Sequence, residues 1–284
     1  MGEGIAQRIT ARLGAMPPGE HKVAQALLAD YPLAGLKTVA RFSADAGVSP
    51  PTVLRFVARI GFGHYGEFQA ALKEELGARL QSPLARTERL AGQQATANTA
   101  SDFQRAVNEN ISATFAHVGN TQIEAIATLL GDRKRSIHLV GGRFTDPIAR
   151  YAAAHLRIVR PRVLHLDGQE SGWRDRLLDM ARTDVLVLFD IRRYQQNLAR
   201  LAEAAAKRRV TVVLFTDQWL SPISRIARHV IAAPTSVPSA WDSSAALFVL
   251  VEALLGRITE NSAPASVKRI RQMERTEPFG NPAE

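Results

Sequence analysis

The run ADAGVSPPTVLRFVARI at residues 44–60 leaves the chain around it few choices. Gly47 falls where a helix must stop, because a residue without Cβ can take the left-handed backbone that an abrupt turn between two helices requires. A second helix is set to begin at once. Ser49 occupies the N-cap position, from which its hydroxyl can accept from first-turn amides, and Pro50 and Pro51 fill positions where a missing N–H costs nothing. Val53, Phe56, Val57 and Ile60 then recur at i, i+3, i+4 and i+7, which predicts one apolar stripe, with Thr52, Arg55 and Arg59 on the opposite face. In the preceding helix, Thr38 caps a segment carrying Val39, Phe42 and Ala46. Small Ser43 lies four residues before Gly47, where two helices would cross too closely for a larger side chain. The stretch therefore predicts a helix-turn-helix, against the plainer alternative of a helical hairpin in an unrelated core.

An apolar back held by supporting helices and a short polar, cationic front is what a helix lying in a DNA major groove needs. On that reading double-stranded DNA is the expected partner. The surroundings agree. Ile5, Ile9 and Leu13 suggest a first helix broken at Pro17-Pro18-Gly19, residues 20–29 resume with Val23, Ala24, Leu27 and Leu28 on one side, and Tyr31-Pro32 ends that segment. After the motif, the turn at residues 61–66 leads into a helix with Phe68, Leu72, Leu76 and Leu80 on one side. Residues 1–80 thus read as an all-α domain of five short helices.

At 284 residues the chain is long enough for two domains with separate cores. Hydrophobic and charged contents of 46% and 22% are those of a globular protein, no apolar run reaches membrane-span length, and residues 1–14 lack the apolar core of a secretory signal, so a cytoplasmic location is expected. Zero cysteines exclude disulfides, thiolate metal sites and cysteine nucleophiles. No cofactor or metal is expected. The net charge of +9 fits a polyanionic partner, yet residues 1–80 hold 9 cations against 7 acids while residues 132–258 hold 20 against 12. Either the second domain has an acidic ligand of its own or its surface is simply basic.

Residues 81–101, with Pro83, Gly92 and the polar tract at 93–98, read as a linker. An amphipathic helix over about 102–118 carries Phe103, Val107, Ile111, Phe115 and Val118, either a core helix of the next domain or part of a dimer seam. Past residue 131 the pattern changes. Short β-branched runs at 136–140, 162–166, 185–189, 210–215 and 230–232 suit strands covered on both faces, with helices expected near 147–159, 173–180, 196–208, 223–227 and 243–258. This alternation predicts an α/β domain over 102–258 with a parallel five-stranded sheet. Ligands of such sheets bind outside the carboxyl ends of the strands. Those ends read Gly141-Gly142-Arg143-Phe144-Thr145, Asp167-Gly168-Gln169, Asp190-Ile191-Arg192-Arg193-Tyr194, Thr216-Asp217 and Thr235-Ser236. Residues 259–284 read as a short helix and a frayed tail.

Residues 20–76 resemble the N-terminal domain of the RpiR family of bacterial transcription regulators, through Gly47-Val48-Ser49, Thr52-Val53, Arg55-Phe56 and Gly61-Phe62 in that order. Residues 132–258 resemble the sugar isomerase (SIS) domain that follows it in that family, through the first βα turn and through Thr216-Asp217 with Ser221-Pro222. The resemblance implies a homodimer or homotetramer that binds an operator under the control of a small ligand, often a phosphosugar. It places Ser49, Thr52 and Arg55 on DNA, Ser49 toward phosphate and Arg55 toward a base edge, with Arg59, His64 and Lys73 adding backbone contacts.

The ligand site departs from the family pattern. Where a SIS first turn reads G-x-G-x-S, Arg143 and Thr145 replace the second glycine and the serine; where the third strand ends S-x-S-G, Asp190, Ile191, Arg192 and Arg193 stand instead. Guanidinium forks favour bidentate carboxylate or phosphate geometry. The expected effector is therefore an anion held by Arg143, Arg192 or Arg193, with Thr145 and Tyr194 assisting and Asp190, Thr216 and Ser236 in the same site. Trp241-Asp242-Ser243 could close the pocket, although a plain N-cap by Asp242 explains that stretch as well. The rival reading is a phosphosugar isomerase carrying a helical extension. Its candidate bases are poor, because His138 and His165 fall inside strands, Glu252 lies well into the last helix, and Glu203 lies on an exposed helix face.

Overall fold

The computed structural model describes residues 4–80, 83–92, 99–168 and 170–275. The helices in chain order are α1 (Ile5–Arg12), α2 (Pro18–Ala29), α3 (Leu33–Leu36), α4 (Val39–Asp45), α5 (Pro50–Arg59), α6 (Tyr65–Leu80), α7 (Pro83–Gly92), α8 (Thr99–His117), α9 (Asn120–Gly131), α10 (Asp146–Val159), α11 (Glu170–Asp179), α12 (Gln196–Lys207), α13 (Ala245–Asn261) and α14 (Ala263–Arg275). The strands are β1 (Ile137–Gly141), β2 (Val163–His165), β3 (Val185–Asp190), β4 (Thr211–Asp217) and β5 (His229–Ala233). The chain divides into two compact units. One is Met1–Ala113 with Asp217–Ser221 and Pro234–Ser243; the other is Thr114–Thr216 with Pro222–Ala233 and Ser244–Glu284. No helix among the described residues is long and apolar enough to cross a membrane.

In the first unit the apolar positions converge on one core built from Ile5, Ile9, Val23, Leu27, Phe42, Val53, Phe56, Val57, Ile60, Phe68 and Leu72. Gly47 ends α4 at φ +63°. Its N–H donates to Ala44 O (3.1 Å) and that of Val48 to Ser43 O (3.0 Å), so two carbonyls that the helix end would orphan are satisfied. Thr38 Oγ1 accepts from Arg41 N at the other end of α4 (3.3 Å). Ser49 differs from its expected role: its carbonyl accepts from Thr52 N (2.9 Å), while its hydroxyl is turned to Thr52 Oγ1 (3.0 Å). The linker expected at 81–101 is partly helical, because α7 occupies Pro83–Gly92 with Arg86 buried in it. Residues 81–82 and the polar tract at 93–98 lie outside the described residues, as do Gln169 and residues 276–284.

In the second unit the sheet runs β2-β1-β3-β4-β5, and the pairings of β1 with β2, β1 with β3 and β3 with β4 are parallel. Trp173 and Met180, together with Leu198, Leu201, Ala202 and Ala205 of α12, pack on Leu186, Leu188, Val212 and Leu214. α10 lies against β1 and β3, with α13 and α14 beside it. The helix expected at 223–227 is a 3₁₀ turn over Pro222–Arg225. The segment after 258 is more ordered than expected up to Arg275, because Ser266 is fully buried and its hydroxyl donates to Val159 O (3.3 Å), and Arg269 Nε donates to Arg157 O (2.9 Å).

Arg160, at the end of α10, is buried without any carboxylate in the bonds that hold it. Its guanidinium donates to the carbonyls of Leu130 and Arg135 and, from Nε, to that of Pro161 (3.1 Å), which ties the loops that precede β1 and β2 together. Burial brings its pKa down to about 10, so it keeps its charge at neutral pH. Arg160→Met removes the donor shared by these carbonyls and is expected to destabilise the fold by about 2 kcal/mol, seen as a lower denaturation midpoint with unchanged m-value.

Candidate functional site

Two places bring the singled-out side chains together. The first is α5. Its stripe of Val53, Phe56, Val57 and Ile60 is sealed against the core, and Pro50, Pro51, Leu54, Arg55 and Ala58 are exposed. Leu54 is 46% exposed, a large apolar side chain on an open helix face. Thr52 is at 9%, not on the outward face expected of it, because α2 covers that flank. A Cβ built on Gly19 of α2 would sit 3.0 Å from the Thr52 methyl. The Thr52 hydroxyl instead receives Arg55 Nη2 (3.0 Å), which steadies the guanidinium at the edge of the open face.

Arg59 also turns toward α2. It pairs with Glu20, whose side chain is 4% exposed, and Nη2 adds a second bond to Glu20 Oε1 (3.4 Å). A carboxylate buried to this degree needs its cation, so the first duty of Arg59 is to neutralise Glu20. His64 Nδ1 accepts from Glu67 N (3.1 Å) and Glu67 Oε2 from Gly63 N (2.7 Å), a reciprocal cap on α6. Lys73 is exposed on α6.

The second place is the carboxyl end of the sheet between β1 and β3. Strand order reverses there, since β1 leads to β2 on one side and the chain returns to β3 on the other. Gly141 ends β1, and a Cβ on it would lie 2.4 Å from Asp146 N, so only glycine lets α10 start so close to the strand. A cleft of about 170 Å³ opens above, lined by Gly142, Arg143, Phe144, Thr145, Asp190, Ile191, Arg192, Arg193 and Gln195. Three guanidiniums and one carboxylate make this lining cationic. α10 and α12 both begin at its rim, and their amino ends add partial positive charge. Gln195 Oε1 accepts from Arg143 N (3.2 Å), which spans the cleft mouth from one loop to the other. The Arg143 guanidinium lies 5.2 Å from the ring centroid of exposed Phe144. Arg192 is 8% exposed, whereas Arg193 is exposed on left-handed backbone (φ +69°).

Several residues expected in this cleft have other work. The Thr145 hydroxyl is buried, donating to Phe189 O (2.6 Å) and accepting from Gly142 N (2.8 Å). It locks the turn from β1 into α10 and ties it to β3. Thr216 is fully buried and donates to Asp190 O (2.7 Å), clipping β4 to β3. Asp190 Oδ1 accepts from Gln195 N (3.4 Å) at the start of α12. Tyr194 does not line the cleft. Ser236 belongs to the other compact unit, where its carbonyl accepts from Asn110 Nδ2 (2.9 Å) and its hydroxyl from Gln218 Nε2 (3.3 Å). Asp242 is in that unit too and pairs with Arg86 (3.2 Å); Ser244, not Asp242, precedes the first turn of α13.

No histidine or glutamate lines the cleft among the described residues. His138 is buried in β1 with Nε2 3.5 Å from Asp184 Oδ2, and burial lowers its pKa, so it is a neutral core imidazole at pH 7. His165 Nε2 lies 2.7 Å from Asp146 Oδ1, Glu252 accepts from Tyr151 Oη (2.9 Å), and Glu203 is exposed.

Comparison with known proteins follows this division. Residues 3–79 match the family model described as a helix-turn-helix domain of the rpiR family, and residues 130–257 match that of the SIS domain. No curated protein matches the chain. Among solved structures, the sugar isomerase domain of an RpiR transcription factor from Sphaerobacter thermophilus is similar at 23% identity and a TM-score of 0.59, covering 63% of this chain and 100% of that one. The Vibrio vulnificus NanR protein, complexed with ManNAc-6P, is similar at 16% identity and a TM-score of 0.55, covering 95% of this chain and 96% of its own. A phosphoheptose isomerase from Francisella tularensis shares 12% identity at a TM-score of 0.51, covering 59% of this chain and 100% of that one. Likeness at these identities concerns the fold.

Proposed function

Since the chain belongs to the rpiR family, with that family's helix-turn-helix domain ahead of a SIS domain, we propose that it is a DNA-binding transcription regulator whose hold on its operator is set by an anionic small molecule. The observation that carries the first half is the open face of α5, where Leu54 and Arg55 stand side by side on a helix whose back is pinned in the core. A guanidinium there matches the O6 and N7 acceptors of guanine, and the neighbouring leucine matches the C5-methyl of thymine. Ser49, at the amino end of α5, is placed for a phosphate; Lys73 and His64 add backbone contacts, and Thr52 acts through Arg55. The effector is a phosphosugar or carboxylate whose anionic head sits among Arg143, Arg192 and Arg193. At about 170 Å³ the cleft is smaller than the roughly 300–1,000 Å³ of a drug-sized ligand site. It has room for such a head, and the remainder of the ligand lies at the rim.

The chain acts as a homodimer or homotetramer that sets the spacing of its helix-turn-helix heads, and the cleft performs no isomerisation: aldose-ketose interconversion needs a base poised over the substrate, whereas the described lining has no histidine or glutamate and its one carboxylate, Asp190, accepts from Gln195 N at the start of α12. Selection from random-sequence duplexes by the full chain tests this reading. A pseudo-palindromic site should be enriched, and phosphosugars or short carboxylates screened against that site should shift its affinity tenfold, which needs a difference of about 1.4 kcal/mol between liganded arrangements. Absence of any enriched sequence would overturn it.

A further inference from the structure

The surplus of cations after residue 132 has a definite address. The paired strands run parallel, so the loops leading into them share the edge of the sheet opposite the cleft. Backbone bonds lay those loops side by side. Ile137 N donates to Arg162 O (2.9 Å), Val185 N to Ser136 O (3.0 Å), Thr211 N to Asp184 O (3.1 Å) and Arg228 N to Val212 O (2.9 Å). Each incoming loop carries an exposed cation on this edge: Arg162 before β2, Arg133 and Lys134 before β1, Arg182 before β3, Arg209 before β4 and Arg228 before β5. With neighbouring strands about 4.8 Å apart, the row is about 20 Å long.

Nearby acids cancel it only in part, Asp132 acting on Lys134 and Arg135. Asp132 is held by Arg135 Nε (2.9 Å) and Lys134 N (3.0 Å), and Asp184 is buried, accepting from Ser136 N (3.1 Å) and Ala181 N (3.0 Å). Asp179 is exposed at the end of α11. Two of the arginines also stand where an L-residue is strained, Arg162 at φ +60° and Arg209 at φ +66°. Glycine or asparagine is the usual occupant of such backbone; from it Arg162 donates Nη1 to Lys134 O (3.1 Å), and Arg209 holds an exposed charge at this edge.

We propose that this amino-terminal edge of the sheet is a second polyanion surface, which takes the phosphate backbone of duplex DNA outside the operator and reads no bases. The inference rests on the regulator reading for its choice of partner. About 20 Å of duplex carries about twelve phosphate charges, enough to face the whole row, and guanidinium forks suit phosphate oxygens. It also explains why the cationic excess lies in the unit that does not hold the reading helix.

The test uses the full chain carrying Arg133→Gln, Arg182→Gln and Arg209→Gly together, with binding to a duplex of unrelated sequence followed from about 50 to 200 mM salt. The slope of log affinity against log salt should become shallower by about two to three, at roughly 0.9 for each phosphate no longer neutralised. Preference for the selected operator over that duplex should stay as it was. Arg209→Gly alone removes a charge where glycine suits the backbone better, so it remains informative should the triple variant fold poorly, and it should lower the slope by about one. An unchanged slope would overturn the proposal, as would a loss confined to binding of phosphatidylserine vesicles. Failure of the regulator reading looks different: no duplex is then preferred by the unaltered chain, whatever its salt slope.

Discussion

Arg55→Ala is expected to leave the chain folded and to cut its preference for the selected operator over random duplex roughly ten- to hundredfold. The size follows from the loss of one bidentate hydrogen-bond pair to a base, worth about 1–3 kcal/mol of discrimination. The specificity of the effect follows from position. Arg55 is exposed and its guanidinium rests on the Thr52 hydroxyl (3.0 Å), so removing it opens no cavity in the core formed by Val53, Phe56, Val57 and Ile60. Arg55→Lys is the sharper control. It keeps the charge and the phosphate attraction but not the planar fork, so affinity for unrelated duplex should persist while discrimination falls. Competition binding at one salt concentration, with melting temperature measured alongside, separates the two effects. Retained discrimination in Arg55→Ala would move base reading to another element.

The existence of α5 and its apolar back was legible because Gly47, Ser49, two prolines and four apolar positions all point to the same helix. Which flank faces outward was not. Thr52 and Leu54 lie on opposite sides of the buried stripe, and periodicity treats those sides alike; only the packing of α2, with Gly19 against Thr52 and Glu20 against Arg59, decides between them. The sheet was legible to within a residue or two, since strands covered on both faces show as continuous β-branched runs. Its carboxyl-end loops were located correctly, and Arg143, Arg192 and Arg193 do share one cleft. The direction of the hydroxyls was hidden. Thr145 and Thr216 look like ligand donors in the sequence, yet each bonds a carbonyl of β3, and such cross-strand bonds leave no mark in a one-dimensional pattern. The cationic edge was hidden for the same reason, because Arg133, Arg162, Arg182, Arg209 and Arg228 become neighbours only when the strands align.

Replacing Arg192 and Arg193 together by alanine is expected to weaken effector binding at least a hundredfold and to abolish the response of operator affinity to it, while operator binding without effector stays unchanged. Two charge-assisted hydrogen bonds, each worth about 1.5–3 kcal/mol, set that floor. The two arginines contribute differently. Arg192 is 8% exposed, so its loss also disturbs packing at the head of α12, whereas Arg193 is exposed at φ +69° and Arg193→Gly removes its charge from backbone that glycine tolerates freely. The single glycine variant should therefore melt no lower than the parent chain and still lose at least tenfold in effector affinity. A ligand that binds only the folded chain raises its melting temperature in proportion to ln(1 + [L]/Kd), so an effector-induced upward shift in melting temperature reads affinity in the same experiment that reports folding. If the double variant keeps the full shift, the anion is held elsewhere, and the cleft between β1 and β3 is a structural relic of the fold.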